Sequence, residues 1–202
     1  MSKNKLYGLF FCLILTGQAH ADQAQLQRGA HVALNVCNGC HSLKYITYSD
    51  FLKIGFTKKE VDAMRGDKPM DASLQSQMDP KMELGMFGVV PPDLSLMAKA
   101  REGGAHYIYS MITGFYTDSK GQTANRVFPG IKMPDVLMIS QADAAGKQAI
   151  EAKAKDVSAF LKWASDPQAE ERKTLGKYVI AYFVLLTGLL YLLKKKIWKR
   201  LG

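Results

Sequence analysis

Small and apolar residues at Leu26, Gly29, Ala30, Ala33, Val36 and Cys37 recur at helical spacing, which predicts a helix over residues 23–37. His31 falls off that stripe and reads as a solvated helix residue. Thr57 stands three residues ahead of Glu60 in a capping-box arrangement, so a short helix is expected over 57–65. Residues 66–88 are poor in branched apolar side chains and carry Asp67, Asp71, Asp79 and Glu83, the pattern of a mobile surface excursion; Met70, Met78, Met82 and Met86 there read as gap fillers. Pro91 and Pro92 force extended backbone, after which a helix is expected over 94–99, closed by Gly103 and Gly104. Tyr107, Ile108, Met111 and Ile112 fall on one face of a predicted helix over 105–115. A polar loop over 117–126 and an irregular segment over 127–134, with Pro129, Gly130 and Pro134, follow. Val157, Phe160, Leu161 and Ala164 lie on the stripe of a last soluble helix over 141–163, whose contact with Gly29 and Ala33 would allow a close crossing.

The two ends are patterned differently. Lys3 and Lys5 precede an apolar run from Leu6 to Leu15, and Ala19-His20-Ala21 supplies small residues for cleavage, so residues 1–21 read as a secretory signal that removes Cys12. Asp166-Pro167 ends the last soluble helix, and Glu170, Glu171, Arg172 and Lys173 read as a charged linker. Residues 178–193 then run without a charge, and with flanking residues and snorkelling lysines they are long enough to cross a bilayer. The expected organisation is a signal at 1–21, an exported domain at 22–172 and a membrane anchor with a basic tail at 173–202.

Net charge is +9, but Lys3, Lys5, Lys194, Lys195, Lys196, Lys199 and Arg200 account for seven of the 27 basic residues. The remaining 20 face 18 acids, so the basicity belongs to the membrane-facing ends and makes no case for nucleic acid. By the positive-inside rule the C-terminus is expected in the cytoplasm, with the preceding domain on the far side of a bacterial inner membrane.

Cys37-Asn38-Gly39-Cys40-His41 is the spacing of a c-type haem attachment site. On one turn and the bend after it, two thiols can reach both vinyl groups of one porphyrin, and an imidazole can meet the iron. A thioredoxin-like pair would want a βαβ context, and a structural zinc site would want two more ligands, for which only His31 and His106 remain after export. Met133 has the best setting of the methionines for a second axial ligand, because its loop is braced by Pro129 and Pro134. Arg101 reads either as a plain surface charge or as a guanidinium facing haem propionates.

Four stretches together resemble the cytochrome c1 family, the haem-bearing subunits of quinol:cytochrome c reductase (cytochrome bc1) complexes. They are Cys37-Asn38-Gly39-Cys40-His41-Ser42-Leu43-Lys44-Tyr45; Pro91-Pro92-Asp93-Leu94-Ser95 running on to Ala100-Arg101-Glu102-Gly103-Gly104 and Tyr107; Phe128-Pro129-Gly130 to Met133-Pro134; and Asp156-Val157 through Phe160-Leu161-Lys162-Trp163-Ala164 to the anchor. The resemblance implies an all-α, class I cytochrome c-like haem domain with long loops and one C-terminal transmembrane helix. It implies one covalent haem c on Cys37 and Cys40, with His41 and Met133 as axial ligands. It also implies pocket contacts from Pro91 and Pro92, a propionate contact from Arg101, and Tyr107 close to the haem.

The expected function is an electron relay from the Rieske iron-sulfur protein to a soluble c-type cytochrome, beside cytochrome b, in a dimeric complex. No catalytic acid, base or nucleophile of the chain's own is identified. Two rivals are a free-standing anchored cytochrome that donates to a terminal oxidase, and a haem-based gas sensor with His41 as its only protein ligand.

Overall fold

A computed structural model describes residues 22–201; the expected export signal lies outside the described residues. Helix α1 (Gln23–Asn35) opens on Asp22, whose carboxylate accepts from the Gln25 amide at 2.6 Å. A short 3₁₀ turn (Cys37–Gly39) leads into strand β1 (Leu43–Thr47) and a second 3₁₀ segment (Tyr48–Ile54). Helix α2 (Lys58–Arg65) has the expected capping box, the Thr57 amide donating to Glu60 at 2.7 Å. Strand β2 (Ser73–Leu74), α3 (Pro80–Phe87), α4 (Met97–Ala100) and α5 (Ala105–Thr113) follow. Strands β3 (Phe115–Thr117) and β4 (Thr123–Asn125) form a hairpin, and α6 (Ala144–Ala164) and α7 (Ala169–Leu201) complete the chain. The class is mostly helical, with two small antiparallel ladders, β1–β2 and β3–β4.

The core forms where α1 crosses α6. Phe51 from the second 3₁₀ segment stacks on Phe160 of α6, ring centroids 6.1 Å apart, and Leu43, Ile46, Val61 and Val157 close around them, all buried. Gly29 allows the crossing: a β-carbon there would collide with the backbone carbonyl of Asp156 and sit 2.7 Å from Phe160 Cβ. Arg28 pins the same crossing from the rim, its Nε 2.7 Å from the Asp156 carboxylate.

Four expectations are corrected. Residues 66–88 are not a loose excursion: Leu74 pairs opposite Leu43, and α3 is capped by Asp79, which accepts from the Lys81 amide at 2.8 Å. The polar loop at 117–126 is largely the β3–β4 hairpin, whose turn is organised by the Asp118 carboxylate accepting from the Lys120 and Gln122 amides at 2.8 Å. The helix expected over 94–99 starts later, as α4: Leu94 opens a tight turn, its carbonyl accepting from the Met97 amide at 3.2 Å while its own amide donates to Ser42 O at 2.9 Å. Finally, 170–173 is no linker, since α7 begins at Ala169 and runs unbroken through it.

One 18-residue stretch of α7 reaches a mean hydropathy of 1.7, none of it buried in the fold, so the helix is long and apolar enough to cross a membrane. Asp166 joins this helix to the rest: its carboxylate pairs with Arg172 of α7 and, at 2.9 Å, with Lys99 of α4. Those two cations hold it well below the usual carboxylate range.

Replacing Gly29 by valine should destabilise the fold by about 1–3 kcal/mol through overpacking at the crossing. Chemical denaturation followed by circular dichroism measures this; a variant as stable as the parent contradicts so close an approach.

Candidate functional site

The end of α1 turns tightly into the thiol–imidazole motif. The Cys40 and His41 amides both donate to the Cys37 carbonyl, at 3.1 and 2.9 Å, which bunches the three side chains on one side of the turn. All three face a cavity of about 360 Å³. The same cavity is lined by Pro91 and Pro92, by Arg101 and Tyr107, and, from the far end of the chain, by Met133. The eight side chains singled out in the sequence are thus brought to one place.

The histidine is oriented by the proline segment. His41 Nδ1 lies 2.7 Å from Pro92 O; a carbonyl can only accept, so Nδ1 carries the proton and Nε2 keeps its lone pair. Burial depresses the imidazole's pKa, which favours this neutral, electron-donating form. Three further bonds dock the proline segment on the motif's exit: Leu94 N to Ser42 O at 2.9 Å, Lys44 N to the Asp93 carboxylate at 2.9 Å, and Tyr45 N to Ser95 Oγ at 3.0 Å.

Met133 arrives on a loop secured at both ends. Asn125 donates to Met111 O at 2.7 Å and accepts from the Val127 and Phe128 amides at 2.9 and 3.1 Å. Beyond the methionine, the Asp135 carboxylate accepts from the Ile139 and Ser140 amides at 3.2 and 2.8 Å. Gly130, at φ +77°, supplies the left-handed bend between these clamps.

The donor set and the walls suit a haem. A neutral imidazole nitrogen and a soft thioether are both established donors to haem iron, and Leu94, Ile108, Ile112, Phe128 and Ile131 make the lining apolar. Burial pushes the Cys37 thiol up to about 11 and raises Cys40 too, the opposite of the low-pKa thiol a thiol–disulfide redox pair needs. Among the described residues no cluster of three or more His, Cys, Asp or Glu side chains is placed to hold a metal ion, which leaves the zinc alternative without ligands. Arg101 is exposed at the rim and donates only to Ala100 O at 3.0 Å, so its guanidinium is available to an anionic group at the cavity mouth.

Sequence reasoning missed Asn38. Buried inside the motif, its amide donates to His41 O at 3.0 Å and Gln75 O at 2.9 Å, lacing the motif to residues 75–77. Phe87, Phe128 and Ile131 were also missed as cavity walls. An asparagine between two cysteines gives no periodic signal, and Asn125 likewise acts through local turn hydrogen bonds that leave none.

The Cytochrome C1 family profile matches residues 16–201. The chain is 32% identical to cytochrome c1 of Rhodospirillum rubrum over 226 residues, covering 88% of this chain and 82% of that one. It is 32% identical to cytochrome c1 of Allochromatium vinosum, covering 88% and 85%. To the mitochondrial cytochrome c1 heme protein of Saccharomyces cerevisiae it is 33% identical, covering 88% and 65%.

Replacing Asn38 by alanine removes a buried amide that bonds two part-buried carbonyls and should lower stability by about 1 kcal/mol. Denaturant titration of the purified chain checks this; an unchanged midpoint contradicts the bracing role.

Proposed function

The chain belongs to the cytochrome c1 family, an electron-transfer haem subunit of the bc1 complex, and we propose that it relays single electrons from the Rieske iron-sulfur protein to a soluble c-type cytochrome. Members of the family carry covalently bound haem c. When bound, the haem supplies a one-electron couple between ferrous and ferric iron. The observation that supports this reading is the convergence of Cys37, Cys40, His41 and Met133 on one apolar cavity.

Each residue then has a task. The Cys37 and Cys40 thiols, which line the cavity side by side, would hold the group covalently through thioether bonds. His41 presents Nε2 to the iron, fixed in that tautomer by the Pro92 carbonyl. Met133, on a loop clamped by Asn125 and Asp135, would supply a second ligand, and a thioether there would raise the reduction potential relative to a second imidazole. Pro91, Pro92 and Tyr107 line the cavity and would keep water from the macrocycle, and the Arg101 guanidinium would pair with a propionate. Two protein ligands leave no open position for a gas, which suits relay over sensing.

On this reading residues 1–21 direct export and are removed, the haem domain lies in the periplasm, and α7 crosses the inner membrane with its basic end in the cytoplasm. The lysines and arginine after Leu193 support that orientation. Cytochrome b, the Rieske protein and a second copy of the complex are the proposed neighbours; co-purification with a haem-b subunit separates this from the free-standing cytochrome.

Replacing Met133 by leucine should lower the midpoint potential by on the order of 0.1 V, within the roughly 0.8 V range that axial ligation spans. It should also let ferrous protein bind carbon monoxide, as the parent does not. Optical redox titration and carbon monoxide difference spectra measure both; a parent that binds carbon monoxide readily contradicts the relay and favours the sensor.

A further inference from the structure

Among the described residues Glu83 is the only charged side chain that is fully buried, at 2% exposure. Ser76 Oγ donates to its Oε1 at 2.6 Å, and no lysine, arginine or histidine among the described residues forms an ion pair with it. A carboxylate out of water without a cation is costly unless some other positive charge faces it.

Two independent placements bring Glu83 to the haem motif. First, the segment that holds it is laced to that motif: the Ser76 amide donates to Ser42 Oγ at 2.8 Å and the Gln77 amide to Asn38 O at 3.0 Å. Second, Glu83 stands one helical turn before Phe87 on α3, on the same face, and Phe87 lines the cavity.

We propose that Glu83 tunes the haem: its buried negative charge stabilises the ferric state over the ferrous and so lowers the reduction potential. The inference rests on the ligation by His41 and Met133 proposed above. Both ligands are neutral, so ferric haem carries one more positive charge than ferrous, and an unpaired carboxylate in low-dielectric surroundings distinguishes the two states. Glu83 thus acts through space against the upward pull of the thioether and the apolar walls. It is a positioning residue for charge and touches no reacting atom.

The test is an optical redox titration of the full-length, haem-loaded protein in detergent, with dithionite as reductant and ferricyanide as oxidant. Glu83→Gln keeps an acceptor for Ser76 and removes the charge; Ser76→Ala removes the hydrogen bond and keeps the charge. The expected result is a roughly tenfold shift toward ferrous haem in Glu83→Gln, about 59 mV for a one-electron couple, and a clearly smaller shift in Ser76→Ala. Should the glutamine variant fail to accumulate, Glu83→Leu removes the same charge at similar volume and carries the same expectation. An unmoved or lowered midpoint in the neutral variant overturns the proposal, as does an equal rise in Ser76→Ala. The ferric methionine–iron absorption band separates the failures: a parent without it removes the ligation and this inference together, whereas a variant that keeps the band with an unmoved potential removes this inference alone.

Discussion

A turn that carries two thiols and an imidazole has few backbone hydrogen bonds of its own, so something outside it must hold it still. Here residues 91–95 do so, running beside its exit. The His41 ring is fixed on Pro92 O, and the Ser42, Lys44 and Tyr45 backbone groups are engaged by Leu94, Asp93 and Ser95. Two consecutive prolines make that brace stiff before it makes any contact, because their φ angles are set by their rings. The consequence is chemical: one nitrogen of the imidazole is committed to a carbonyl and the other is left to face the cavity. Tautomer, orientation and exposure of the donor all follow from the one docking.

The part of the wall that carries Met133 is built by a different device. Met133 lies on irregular backbone, where no ladder of hydrogen bonds sets its position. The chain clamps that backbone at Asn125 and Asp135, whose side chains together satisfy four amides along the loop. A methionine held this way would keep its place through a change of charge in the cavity, as the proposed relay requires. Behind both walls stands the α1–α6 crossing, where the absence of a side chain at Gly29 lets α1 approach α6 closely and carry the motif at its end.

Legibility in the sequence followed the strength of the physical rule behind each feature. The motif at 37–41 was readable because two thioethers and an axial nitrogen on one porphyrin dictate the spacing, and α1 and α6 were readable because their buried stripes repeat at 3.6 residues. Helix α3 was not, and its burial explains why. Met82, Leu84 and Met86 point outward while the residue it buries is Glu83, so its apolar pattern signals the reverse of its packing. The hairpin at 115–125 escaped because its order comes from the Asp118 turn and Asn125 rather than from alternating apolar residues. The charge run at 170–173 looked like a linker, yet Lys173 meets Glu170 one turn away at 2.8 Å and Arg172 meets Asp166, contacts that suit a helix start.

An electron-carrying role for this chain requires a porphyrin joined to both sulfurs of one short turn. Mass spectrometry of a proteolytic digest of the mature, exported chain tests this most directly. The peptide spanning residues 37–41 should carry the mass of one haem, with neither Cys37 nor Cys40 open to alkylation. The same peptide recovered without added mass, and with both thiols alkylated, would contradict it.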